Sequence, residues 1–359
     1  MLDRIDILVK TALGMEDVTA TRIEEVVPSS HVIPKPYGFM GLVAIKVDGE
    51  KRKIAELIKR EVLEADRVII VDECVEAELN KIAEAAAKVS KEKIGREETF
   101  AIRTVRRGKH NFTSIDVNIV AGAAVKEATE AIVDLKYPNK IVRIEILKDI
   151  ALIAVESGSE ELKKLRPGKK SVVEYLRKIA VIQMPYLGPL DAVKVMGIRI
   201  GREVQTFEVK ELVIAPIGAV KAEELKTFID GVFEGIKSRY EIQKRSYGRK
   251  VWKVPVYIQD LHQLVRERFR KEPIIVLEPE GEPLPKIKSE LASILLGKYR
   301  RINVLIGARE GIPLGLYRFA NLVIDICPGV TISTDYAAAS ALIAFSTIIE
   351  EKLLETKEN

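Results

Sequence analysis

INVLIGAREGIPLG, residues 302–315, runs from an apolar, strand-like segment directly into a loop carrying Gly307, Gly311 and Gly315. A strand that empties into glycine marks backbone with φ > 0, or a place where something comes very close to the chain. Two phosphate-binding readings fail on the residues themselves. A dinucleotide loop needs G-x-G-x-x-G and a Walker loop ends in G-K-[ST], and neither is here. Pro313 also removes an amide shortly after Gly311, which argues against a nest of N–H groups around an anion. Taken alone, the segment reads as a tight strand-to-helix turn.

Two further segments repeat the arrangement: IIVLEPEGEPLP at 274–285 and LVIDICPGVTIST at 322–334. Three parallel strands of this kind would bring their carboxyl ends together, at the edge where open α/β sheets bind ligands. Upstream lie KIAVIQM, ELVIAP and KVPVYI, again short and nearly all apolar. The six runs together predict a buried, mostly parallel sheet. The chain ends in a helix from about 333 to 354 whose small residues permit close packing on a partner surface.

Before residue 173 the pattern changes to α+β. Residues 1–74 read as β-α-β-β-α-β, the order of a ferredoxin-like sheet with helices on one face. Residues 75–157 read as a second domain of helices and paired strands, including KIVRIEIL and IALIAVES. LKKLRPGKKS breaks the pattern and predicts a linker over 158–172, leaving 173–355 as the α/β domain.

Composition sets outer bounds. The 359 residues hold 58 Lys+Arg against 53 Asp+Glu, a net charge of +5, with 47% hydrophobic residues. This is a globular composition whose mild basic bias permits nucleic acid without demanding it. Cys74 and Cys327 stand far apart, so no disulfide framework or zinc spacing is expected. His31, His110 and His262 lack ligand spacing, and no metal is expected. The opening MLDRIDILVKTALG has acidic residues in its apolar run and no cleavage-like site. No apolar run reaches the ~18 residues of a membrane span. A reducing cytoplasm is the expected location, and the wealth of Lys, Glu and Ile resembles thermophile usage.

Two basic segments invite an RNA reading. Arg103, Arg106, Arg107 and Lys109 precede Asn111 and a helix start near Ser114, where free amides and the helix dipole would favour phosphate. A solvated charge run at a sheet edge is the competing reading. Farther on, Arg245, Arg249 and Lys250 interleave with Tyr240, Tyr247 and Trp252, a pattern suited to charge and stacking, or to a basic amphipathic face around a core Trp.

FAIRTVRRGKHNFTSIDVNIVAGAAVKE, with VDLKYPNKIVRIEIL after it, resembles the core of a THUMP domain, and ILVKTALGMEDVTATRIEEV resembles the ferredoxin-like domain that precedes THUMP in RNA-modifying enzymes. The resemblance implies binding of structured RNA, most often the tRNA acceptor end, by shape and phosphate. LEPEGEPL, LIGAREGIP and DICPGVTISTDYAAASALI resemble, in order, the loops of the SPOUT methyltransferases, whose last strands form a trefoil knot around S-adenosylmethionine. That resemblance implies a cofactor site of Leu277, Glu278, Gly281, Ile306, Gly307, Gly311, Ile312, Pro313, Ile326, Cys327, Pro328, Thr331 and Ile332. It also implies a homodimer with the pocket near its two-fold interface.

Methyl transfer is an in-line displacement that depends first on positioning. Where the acceptor must lose a proton, Arg309, Glu310, Ser333 and Asp335 lie at suitable loop ends. Each has a plainer alternative: exposed turn charges for Arg309 and Glu310, a helix N-cap for Ser333, a first-turn dipole partner for Asp335. The expected function is S-adenosylmethionine-dependent methylation of tRNA, with rRNA methylation or non-catalytic RNA binding as the alternatives.

Overall fold

The computed structural model describes residues 4–161, 164–165, 167–268 and 271–355. Side chains on successive strand positions point to opposite faces, so strands apolar at every position must be covered on both sides. That holds from the first sheet onward. β1 (Ile7–Lys10), α1 (Glu16–Val26), β2 (His31–Pro34), β3 (Leu42–Lys46), α2 (Lys51–Glu61) and β4 (Arg67–Ile70) build an antiparallel sheet in the order β2-β3-β1-β4. Ile7, Val9, Val43 and Ile45 pack beneath the helices. Leu8, Leu42, Ala44 and Ile69 face the other way, onto Leu147, Leu152 and Ala154 of the next sheet.

That next sheet comprises β5 (Glu73–Glu76), α3 (Leu79–Lys93), β6 (Thr99–Arg107), α4 (Ser114–Thr129), β7 (Ile132–Val133), β8 (Lys140–Leu147) and β9 (Ile150–Ser157), with strand order β5-β9-β8-β6-β7. β5 pairs with β9, so the boundary expected at 74/75 falls inside a strand of the second sheet. β6 runs through Arg106 and Arg107, which pair with Ile146 and Leu147, so these are strand residues and the turn begins at Gly108. Both sheets belong to one compact unit, residues 1–166, and residues 167–359 form the other. Of the expected linker, Gly158–Glu160 is a 3₁₀ turn of the first unit, while Leu162, Lys163 and Arg166 lie outside the described residues.

In the second unit α5 (Val173–Leu176), β10 (Ile179–Gln183), α6 (Leu190–Phe207), β11 (Glu211–Ile214), α7 (Ala222–Ser246), β12 (Val256–Ile258), α8 (Leu261–Gln263), β13 (Ile274–Pro283), α9 (Leu284–Leu296), β14 (Ile302–Ile306), α10 (Leu314–Tyr317), β15 (Leu322–Asp325) and α11 (Thr334–Glu355) follow in order. Six strands make one sheet, β12-β11-β10-β14-β13-β15, and every neighbouring pair is parallel. Ile179, Val181, Ile275 and Val304 face one core, and Ala180, Ile182, Val276 and Leu305 face the other. β13 pairs with β15 twice. Leu277 and Glu282 both register with Ile324, so the chain between them arches over the end of β15. Gly281 lies flat on that strand, where a Cβ would stand 2.5 Å from the Ile324 nitrogen.

α6 and α7 cross with their main chains in contact. Gly197 and Gly201 on α6 meet Gly231 and Gly235 on α7, and a Cβ at any of the four would come within 2.1–2.5 Å of a carbonyl oxygen of the facing helix. Only glycine permits so close an approach. Because main chain cannot yield as a flexible side chain does, Gly201→Ala is expected to lower unfolding stability by about 1–3 kcal/mol. Gly248, with open space around its would-be Cβ, is the control. Chemical denaturation of G201A and G248A checks this, and equal midpoints would refute the constraint.

Candidate functional site

The loops after β13, β14 and β15 converge on one cavity of about 320 Å³. Its organiser is Glu278. At the end of the apolar run of β13 its side chain turns into the glycine loop, where Oε1 accepts the Ile312 amide at 2.5 Å. A Cβ on Gly307 would stand 2.7 Å from that oxygen and one on Gly311 3.1 Å from it, so both glycines make room for a carboxylate. Gly311 also has φ +71°, which disfavours any side chain. Burial, with repulsion from Glu280, raises the Glu278 pKa against the opposing pull of the Ile312 amide. Tyr317, near both carboxylates, is pushed up to about 12 by burial and their charge, so its hydroxyl stays protonated at neutral pH.

The expected cofactor residues divide by position. Leu277, Glu278, Ile306, Gly307, Gly311, Ile326, Thr331 and Ile332 line the cavity. Ile312 does not: its side chain is buried with Leu316 in the core on the α10 side, and only its amide faces Glu278. Gly281 serves the β15 crossing. Pro313 lines a neighbouring cavity instead. Cys327 and Pro328 lie beyond the lining, the Cys327 amide donating to Asp325 Oδ1 at 2.9 Å.

Of the four expected catalytic residues, Arg309 and Glu310 line the cavity. Both are exposed, as the plainer alternative had it, but Arg309 is held on one aromatic side chain. Its guanidinium lies 4.5 Å over the Tyr186 ring and donates to Tyr186 Oη at 2.7 Å. Ser333 and Asp335 are elsewhere. The Ser333 hydroxyl donates to Asp335 Oδ1 at 2.7 Å, and Asp335, 3% exposed, holds Arg199 of α6 at 2.8 Å. Burial disfavours the Asp335 anion, but Ser333 and Arg199 outweigh it and keep the pKa below the usual range. These two residues fasten the start of α11 to α6. Behind them Glu203, desolvated and repelled by Asp335, is pushed up to about 8.

The RNA-directed residues are partly engaged within the protein. Arg103 is held by Glu161 at 3.0 Å and the Leu135 carbonyl at 2.8 Å. Arg107 and Lys10 neutralise the buried Glu145. Arg106 meets His110 Nδ1 at 3.2 Å, and Lys109 and Asn111 are exposed. The expected open N-terminus of α4 is closed by a capping box, in which Thr113 and Asp116 satisfy each other's amides. A carboxylate thus occupies the place a phosphate was expected to take. In the second segment Glu208, buried at the end of α6, accepts Arg249, Arg177 and the Trp252 amide, so Arg249 is a structural counter-ion. Arg245 and Lys250 stay exposed, and Trp252 is 46% exposed rather than a core residue. Phe269 and Arg270 at the end of this segment lie outside the described residues.

Sequence reasoning missed Tyr186, Arg199, Glu203 and the anchoring role of Glu278. The one available signal for Tyr186 is MPYLGPL after the β10 run, a Pro- and Gly-rich strand exit in the same sheet. Among the described residues no His, Cys, Asp and Glu side chains group as a metal site, and no helix is long and apolar enough to cross a membrane.

Residues 173–359 match the family model described as AF2226-like SPOUT RNA methylase fused to THUMP, and residues 76–156 match the THUMP domain. An uncharacterized Methanocaldococcus jannaschii protein, MJ0421, is 41% identical over 350 residues, covering 97% of this chain and 95% of its own. A tRNA (guanine(6)-N2)-methyltransferase of the same organism is 38% identical over 69 residues, 18% of each chain. Among solved structures, PH1313 from Pyrococcus horikoshii is a distant likeness, with 15% identity, TM-score 0.38, and coverage of 98% of this chain and 99% of its own.

Glu203 gives a pH test of the acidic cluster behind α11. Its folded pKa of about 8 lies above the ordinary 4.5, so its stabilising contribution is complete below the lower value and lost as pH rises through the upper one. Denaturation midpoints of the wild type are expected to fall from pH 5 to pH 9 by more than those of Glu203→Gln. Parallel pH profiles for the two proteins would refute the assignment.

Proposed function

The chain belongs to the AF2226-like SPOUT RNA methylases fused to THUMP, and on that premise we propose that it methylates tRNA with S-adenosylmethionine as donor, in the cytoplasm and as a homodimer. The observation that carries the donor is the charge of the cavity. Glu278, Glu280, Glu310 and Asp325 line it against the single guanidinium of Arg309. Such a lining suits a ligand bearing a sulfonium and an ammonium group, while Leu277, Ile306, Ile324, Ile326 and Ile332 offer apolar walls for an adenine ring. Bound there, S-adenosylmethionine would supply one activated methyl group for in-line transfer.

The chain's own residues do the positioning. Glu278 fixes the 307–312 loop through one main-chain bond. Arg309, braced on Tyr186, holds a positive charge on the cavity lining for a carboxylate or phosphate. We assign to Glu310, on the cavity lining, the removal of a proton from an acceptor nitrogen or hydroxyl. Ser333 and Asp335 contribute by holding α11, not by touching the reaction. We read the 278–282 arch over β15 as the loop of the expected trefoil. The tRNA reading draws on the THUMP match and on the name of the tRNA-methylating relative. The dimer draws on exposed Val195, Tyr336 and Ile343 of α6 and α11.

Calorimetry with S-adenosylmethionine is expected to show binding by the wild type and none by Gly311→Val, whose side chain would press on Glu278 in a strained backbone. Mass spectrometry of tRNA and rRNA nucleosides from a deletion strain should lose one methylated nucleoside from tRNA. A loss confined to rRNA would redirect the substrate, and no cofactor binding would leave an RNA-binding protein.

For the first unit, Arg106→Ala with Lys109→Ala is expected to reduce the log–log salt slope of RNA binding by about two, one for each phosphate contact. Arg103→Ala should instead lower stability, because it removes the guanidinium that bridges Glu161 and the Leu135 carbonyl. Filter binding from low to high salt, with thermal melts alongside, separates these outcomes. An unchanged slope would return the turn to a solvated sheet edge.

A further inference from the structure

A cavity of about 490 Å³ opens at the other edge of the parallel sheet, where the strands begin. Pro273 and Ile274 at the start of β13, Tyr299 just before β14, and Phe319 and Asn321 just before β15 line it. Its volume is within the range of about 300–1,000 Å³ typical of small-molecule sites. The apolar run of β13 has Ile274 at this cavity and Leu277 at the first one, so at ~3.3 Å per residue about 10 Å of strand separates the two. Among the described residues they share no lining side chain, and a ligand here would not touch the methyl donor.

Charge and ring surface meet in this cavity. His262 of α8 and Arg266 of the π-helical turn Leu264–Arg268 line it four positions apart, and Lys271 joins them. Arg266 and Lys271 are exposed and pair with no carboxylate among the described residues. Glu272, the acid on the described lining, is already neutralised: it accepts Arg301 at 2.6 Å and the Asn303 side-chain amide at 3.2 Å. The cavity is therefore electropositive. The Tyr299 ring is seated on Gly297, where a Cβ would stand 2.9 Å from it, and Phe319 is 63% exposed. The Asn321 carboxamide oxygen accepts the Ile274 amide at 2.9 Å, which leaves its NH₂ group as a donor on the wall.

We propose that this cavity binds a nucleotide, with the base against Tyr299 and Phe319 and the phosphate at Arg266 and Lys271. Stacking on aromatic side chains suits any base, because every base has a π face. Two cations suit a phosphate, whose hydrogen bonds to charged donors are the strong ones. An inorganic anion would leave the rings unused, and a neutral aromatic would leave the cations unused. The nucleotide is either free in solution or one unit of an RNA strand, since both present the same ring and phosphate. The inference stands on this lining alone and needs neither the donor reading nor the tRNA reading.

Saturation-transfer NMR on the full chain tests it, with AMP, GMP, CMP and UMP as free nucleotides and 5′-phosphorylated triadenylate and triuridylate as the strand. At least one probe is expected to show saturated base protons, and excess S-adenosylmethionine should leave that signal unchanged. Phe319→Ala, and separately Arg266→Ala with Lys271→Ala, should each weaken binding about tenfold, the scale of one lost base–aromatic stack. Phe319→Tyr, which keeps the ring, should bind as the wild type does. All three side chains are exposed, so thermal melts of the variants should match the wild type. Tighter binding of a trinucleotide than of its mononucleotide, reduced by the same variants, assigns the site to RNA. Variant-sensitive binding of mononucleotides with no such gain assigns it to a free nucleotide. The proposal is overturned by silence from every probe, by wild-type binding in both alanine variants, or by displacement with S-adenosylmethionine, which would put the nucleotide in the first cavity.

Discussion

One contact between a carboxylate and a main-chain amide, Glu278 to Ile312, joins the exit of β13 to the loop after β14, and both of these segments line the cavity. Two of the three glycines of the loop are explained by this contact. A side chain on Gly311 would meet the Glu278 carboxylate, and one on Gly307 would meet both that carboxylate and the Gly311 main chain. The contact restrains the loop, and a restrained loop lowers the ordering cost of binding. The same carboxylate leaves the cavity electronegative, which is why the lining favours a cation.

Much of the fold was legible because it depends on local pattern. Unbroken apolar runs gave the parallel sheet, and the helix and strand order of the first block gave the ferredoxin-like layer, since periodicity reports which faces are buried. Of the expected cofactor residues, those at or just past a strand end, such as Leu277, Ile306 and Ile326, line the cavity, as do the loop residues Gly311, Thr331 and Ile332. Charges were harder. The carboxylates that engage Arg103, Arg107 and Arg249 lie 58, 38 and 41 residues away in the chain, so a basic run on paper is partly a set of internal counter-ions in space. The α4 cap misled for a related reason: Thr113 and Asp116 announce a helix start and, in the same act, close it to phosphate.

The two units divide the electrostatic work. In the first, Arg106 and Lys109 present charge beyond what Glu145 and Glu161 consume. In the second, acidic groups gather at the strand ends, and Arg309 stands among them on an aromatic ring. On the proposed function a polyanion would be drawn to the former and repelled by most of the latter, with Arg309 the one basic side chain on the cavity lining. Positive charge placed singly in an acidic field selects orientation more than affinity.

The α6–α7 crossing carries this reasoning away from the cavity. Where helices touch through side chains, the layer between them is a soft spacer that absorbs small displacements; here backbone bears on backbone, and the pair is stiff. Arg199 lies on α6 between the two glycines of the crossing and is held by Asp335 at the first turn of α11, so the start of α11 is anchored to the most closely packed part of the helix pair.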